Sequence, residues 1–146
     1  MPTYTVTNSN FKLENKQKEN ISKNITKIHN TITGANKYFV QVIFKKIKKD
    51  DHFIGGKKVK EPQIFLYGQI RAGRNKVVKK KLILNLCDTL VKNSKLDKSQ
   101  IWIYIIDLKP SQMIEFGSIL PKSGGETEWF KNLSSKLKKK LSKIEA

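Results

Sequence analysis

The chain of 146 residues fits one domain, and its 38% hydrophobic content is enough for a globular core, which argues against disorder. Its formal net charge of +18 would suit nucleic acid, an anionic membrane surface or a small acidic substrate. Lysines are spread along nearly the whole sequence, without an Arg-rich arm, zinc-finger spacing or aromatic RNP motif, so they read as a solvated surface and no nucleic-acid partner is expected. No apolar run approaches transmembrane length, and the start Met-Pro-Thr-Tyr-Thr-Val-Thr lacks the basic start and apolar core of a signal peptide. The expectation is a soluble, cytoplasmic protein with no membrane partner. Cys87 is the only cysteine, so no intrachain disulfide can form, and its place in the run from Leu82 to Val91 reads as a buried small hydrophobe.

In chain order, Thr3 to Thr7 alternates as a strand, and Ile21, Ile25, Ile28 and Ile32 mark one face of a helix that Gly34 can end. A second strand is expected over Tyr38 to Lys46. After a lysine-rich link and the turn signal Ile54-Gly55-Gly56-Lys57, the order returns as strand Ile64 to Ile70, helix Asn75 to Asn93 and strand Ile101 to Asp107. Each half is therefore a β-α-β unit with parallel strands, about 2–50 and 60–110, and the fold class is α/β, in an α+β two-layer form. Together the halves give a four-stranded sheet under two helices. A segment at 111–134 completes a domain over 1–134, and 135–146 is a lysine-rich tail. From Lys131 onward Leu133, Leu137, Leu141 and Ile144 fall at helical spacing, which predicts a docked helix. Strand Ile101–Ile106 is apolar on both faces, so its outer face needs a cover, and a homo-oligomer or the C-terminal segment could supply one.

Arg71 and Arg74 are the only arginines; every other one of the 30 basic residues is a lysine. Guanidinium is a planar fork whose paired donors match the two oxygens of a carboxylate or phosphate, so an Arg pair beside glycines suggests a grip on a small anion. Both lie where the third strand passes into the second helix, whose free amides and dipole add to anion binding. By the repeat, the position equivalent to Ile64 is the start of the chain, which draws attention to Pro2. Once Met1 is removed, Pro2 carries a free secondary amine that ionises near neutral pH. The alternatives are plainer: the arginines cover a helix start, Pro2 begins a strand, and His29 answers the negative end of a helix dipole. His52 has no evident role.

Taken together, Pro2, His29, Arg71-Ala72-Gly73-Arg74, Trp102-Ile103-Tyr104, Met113-Ile114-Glu115-Phe116-Gly117, Leu120-Pro121 and Glu128-Trp129-Phe130-Lys131-Asn132-Leu133 resemble the tautomerase superfamily, in the branch of cis-3-chloroacrylic acid dehalogenase. The resemblance runs nearly collinearly from Pro2 to about Ser134. It implies a fused double β-α-β unit, a homotrimer, and an enzyme that needs no metal or organic cofactor. It further implies that Pro2 is catalytic, that Arg71 and Arg74 bind the substrate carboxylate, that His29 helps to bind or polarise the acid, and that Glu115, aided by Tyr104, activates water. The implied chemistry is hydration, and dehalogenation where a halide is present, of small α,β-unsaturated carboxylates. A keto-enol tautomerase is the enzymatic alternative, and a basic, non-enzymatic binding protein is the other.

Overall fold

Thr3, Thr5 and Thr7 alternate with Tyr4 and Val6, and that period of two makes β1, Thr3–Ser9, a strand with one buried face. The computed structural model describes the whole chain, Met1–Ala146. Helix α1, Asn15–Thr33, buries Ile21, Ile25 and His29, and it starts in a capping box between Glu14 and Gln17. It ends where Gly34 turns left-handed at φ 73° and returns its N–H to the Asn30 carbonyl. A 3₁₀ turn, Lys37–Phe39, leads to β2, Gln41–Lys46, and then to a small hairpin of β3, Phe53–Ile54, and β4, Lys57–Lys58.

The second half repeats this order. It contains β5, Gln63–Arg71, α2, Lys76–Ser94, a 3₁₀ turn at Lys98–Gln100, and β6, Ile101–Leu108. Another 3₁₀ turn, Pro110–Gln112, precedes a second hairpin of β7, Ile114–Glu115, and β8, Ser118–Ile119. Two helices close the chain: α3, Glu126–Lys131, and α4, Ser135–Glu145.

The sheet runs β2-β1-β5-β6, with β1 parallel to β2, β5 parallel to β6, and the two halves joined antiparallel through β1 and β5. The α+β two-layer expectation therefore holds, with both long helices on one face. Between sheet and helices lies a cluster of 13 buried residues that includes Tyr4, Val6, Ile25, Leu66, Leu86 and Leu90. Each fully buried large apolar side chain there contributes about 1.5–3 kcal/mol. Cys87 belongs to this cluster as a free, buried thiol.

One local reading is corrected. The strand expected from Tyr38 starts only at Gln41, because Tyr38 and Phe39 turn their rings into a second core and Val40 N–H bonds back to Lys37 O at 2.9 Å. The lysine-rich tail, 135–146, forms α4, the docked helix that its leucine spacing predicts, and Leu141 is buried in that second core with Met1, Tyr38, Phe39, Leu120, Trp129 and Leu133. Helix α4 thus packs on the Lys37–Phe39 turn and leaves the outer face of β6 uncovered. Trp102, Tyr104 and Ile106 are 44%, 53% and 37% exposed there. No helix is long and apolar enough to cross a membrane.

Candidate active site

The amino terminus sits at the edge of the second core. Pro2 is buried at the entry to β1, and its carbonyl accepts from Gln41 N–H at 3.0 Å, which ties the chain start to β2. Met1 is 0% exposed. Its amine donates to the Phe39 carbonyl at 2.9 Å and to Glu115 Oε2 at 2.5 Å. The β7–β8 hairpin holds Glu115 in that position, with Phe116 at φ 53° and Gly117 at φ 79° making the two left-handed steps of its turn. Burial lowers the Met1 amine to about 6; Glu115 pulls it up, and Arg71 and Arg74 push it down again. A cleft lined by Thr3, Phe39, Gln41, Met113, Glu115 and Phe116 opens beside this pair.

Arg71 ends β5 and is buried, and two of its donors are already engaged. Nη1 donates to Pro121 O at 2.8 Å, and Nη2 pairs with Glu126 in the first turn of α3; Nε is buried without a partner. Burial pushes the Glu126 carboxyl up, but the bond from Arg71 and the nearby backbone donors outweigh it and leave the group below its ordinary range. Arg74, half-buried, donates through Nη1 to Arg71 O at 2.7 Å, and burial together with Arg71 lowers its pKa. Behind them lies His29, fully buried, with Nδ1 at 2.7 Å from the Tyr4 hydroxyl. Burial first, and then the positive field of Arg74, the amino terminus and Arg71, lowers His29 to about 3, so the ring is neutral at neutral pH. Burial also pushes the Tyr4 phenol up, which keeps it a donor. A phenol donating to Nδ1 fixes the tautomer with hydrogen on Nε2, and that Nε2 is buried and unpartnered.

Tyr4 reaches His29 only because Gly68 faces it across β1 and β5: a Cβ at Gly68 would stand 2.8 Å from the Tyr4 ring. Sequence reasoning did not find Gly68, Tyr4, Glu126 or the Phe39 carbonyl. Of these only Gly68 carries a signal in the sequence, since a glycine inside a strand marks a close approach.

The fold brings Pro2, Glu115, Arg71, Arg74 and His29 to one end of the sheet. It does not bring Tyr104 to them. Tyr104 pairs with Tyr67, which pairs with Thr5, so it stands two strands from β1, about 10 Å away, in a pocket with Phe65, Trp102 and His52. His52 bonds there to Ser9 at 2.8 Å. No group of three His, Cys, Asp or Glu side chains gathers in a way that could hold a metal ion.

Residues 1–133 match the family described as "Putative oxalocrotonate tautomerase enzyme". No curated protein matches the chain. Among solved structures, a member of the cis-3-chloroacrylic acid dehalogenase family superposes with TM-score 0.91 at 27% identity, covering 97% of this chain and 99% of that one. A wild-type fused 4-OT, a symmetric trimer, superposes with TM-score 0.73 at 18% identity, over 81% of this chain and 94% of that one, which is a likeness of fold. The family match along nearly the whole chain and the agreement of fold with that member of the dehalogenase family make this chain a member of the tautomerase superfamily.

Proposed function

We propose that the chain, once Met1 is removed, is a cofactor-independent enzyme that uses the Pro2 amine to add water to small α,β-unsaturated carboxylates. One observation carries this reading: the fold sets the amino terminus against Glu115 in the field of Arg71 and Arg74. The Met1 ammonium donates to both Glu115 and Phe39 O, and a water in its place could donate to the same two acceptors. Glu115 takes a proton from that water as its oxygen bonds to C3, the π pair moves to C2, and protonated Pro2 delivers the proton there. When C3 carries a halogen, the adduct expels halide and a proton and leaves the semialdehyde. The carboxylate would be held by Arg74, by the unpartnered Arg71 Nε and by His29 Nε2–H, with further Arg71 donors if Glu126 yields. Tyr104 lies on the uncovered β6 face, so in a homotrimer that covers this face it would serve a neighbouring copy's Glu115.

Intact mass is the first measurement, because retained Met1 makes the Pro2 nitrogen an amide. Processed protein is then incubated with cis-3-chloroacrylate and propiolate. Turnover is expected that disappears in Pro2→Ala and falls roughly hundredfold in Arg74→Lys, which keeps charge but loses the fork. Equal turnover in wild type and Pro2→Ala would sink the reading.

A second reading has its own support. Burial lowers the Met1 amine to about 6, and the same burial would favour a neutral Pro2 amine, which is a base. A neutral Pro2 would suit keto-enol tautomerisation of 2-hydroxy-dienoates or enol-pyruvates. Ketonisation of an enol-pyruvate with no hydration of either acid would decide for it.

A further inference from the structure

The buried space that Met1 occupies has a character of its own. Its amine end is polar and pinned at Glu115 and Phe39 O, and its side chain is fully buried in an apolar cluster with Phe39, Leu120, Trp129, Leu133 and Leu141. Methionine is an unbranched thioether with three rotatable bonds, so the space it occupies is a narrow, slightly flexible channel. Removing a buried side chain leaves a cavity, because its surroundings relax only in part. An apolar cavity of this kind stays dry and accepts apolar ligands. On the reading above, Glu115 marks the carbon that water attacks, and the vacated channel leads away from it, opposite in character to the arginine end.

We infer that the substrate is an unsaturated carboxylate with an unbranched apolar tail beyond C3, seated in the channel vacated by Met1. This rests on the removal of Met1 and on the carboxylate grip proposed above. The tail lies where the thioether lies, and the channel is about four heavy atoms deep, so the preferred acid has about seven carbons. A three-carbon acid would leave it empty.

Two series on mass-verified processed protein test this. The first measures binding of saturated carboxylates with three to nine carbons, by quenching of Trp129, which belongs to the cluster that buries Met1. Affinity is expected to rise about fourfold per methylene up to about seven carbons and then to stop rising. The second measures kcat/KM for 2-alkynoates of the same lengths, with the same trend expected. Leu120→Phe, which narrows the channel, is expected to move the optimum to shorter acids, and protein in which Met1 is retained is expected to bind none. Binding and turnover that are flat or fall from the three-carbon acid upward would overturn the inference. Length-dependent binding with no turnover at any length would support the channel while removing the hydration reading, so the two failures differ.

Discussion

His29 shows how a single residue in this site takes its state from its neighbours. An exposed histidine would be partly charged at neutral pH, but here burial and three positive groups hold it neutral, down to about 3. The unfolded chain protonates His29 near its ordinary pKa of about 6.5, so between that pH and about 3 the unfolded state binds a proton that the native state refuses. The sign follows: this group makes stability fall as pH falls through that window. The full loss is of the order of 5 kcal/mol. Urea unfolding at pH 7, 5.5 and 4 is expected to show that decline, and His29→Asn to flatten it relative to wild type. An identical slope in both proteins would mean that His29 is charged or exposed in the native state. Gly68 is the silent partner in this arrangement, since it makes room for the Tyr4 ring that orients the imidazole.

At the scale of elements, the two halves can be compared position by position. Helix α1 ends on Gly34 and α2 ends on Lys95, both left-handed, at φ 73° and 64°. Glycine adopts that region freely, and a residue with a Cβ adopts it at a cost. Lys95→Gly is therefore expected to stabilise the protein by about 0.5–1 kcal/mol, read as a higher melting temperature without change in turnover; a lower melting temperature would contradict it. The repeat that licenses this comparison was legible in the sequence. Ile21, Ile25, Ile28 and Ile32 at helical spacing, Gly34 after them, and the alternation around Tyr4 and Val6 are local signals, and local signals fix where helices and strands form. The turn at Lys37–Phe39 was hidden because Tyr38, Phe39 and Val40 have strand-forming side chains, and only the second core, built with α4 about 100 residues later, draws the two rings out of line. The same reason separates the legible from the hidden parts of the site. Arg71 and Arg74 stood out as the only arginines and Pro2 through the repeat, and the resemblance to a family pattern added His29 and Glu115, whereas Glu126 and Pro121 bind Arg71 across loops that carry no periodicity.

The whole molecule carries an unresolved imbalance between a highly charged surface and one bare apolar strand. A net charge of +18 repels other copies, yet Trp102, Tyr104 and Ile106 stand exposed in a row on β6, with no element of the chain over them. A trimer that covers this face would bury those side chains and, on the proposed mechanism, would carry Tyr104 to a neighbouring site. Sedimentation equilibrium at micromolar concentration is expected to give three times the chain's 16.8 kDa. Trp102→Glu is the informative variant, because it lowers the net charge, so any dissociation it causes comes from the buried carboxylate and not from added positive repulsion. It is expected to yield monomers that keep the helical circular dichroism signal but lose turnover, since Pro2 and Glu115 remain while Tyr104 no longer meets them. Mixing Tyr104→Phe with Glu115→Gln subunits, each nearly inactive alone, is expected to restore up to about a quarter of activity if Tyr104 acts across the interface, as random assembly pairs a sound Tyr104 with a sound Glu115 at that frequency. Wild-type monomers that turn over substrate, or mixtures no more active than their components, would place water activation within a single chain.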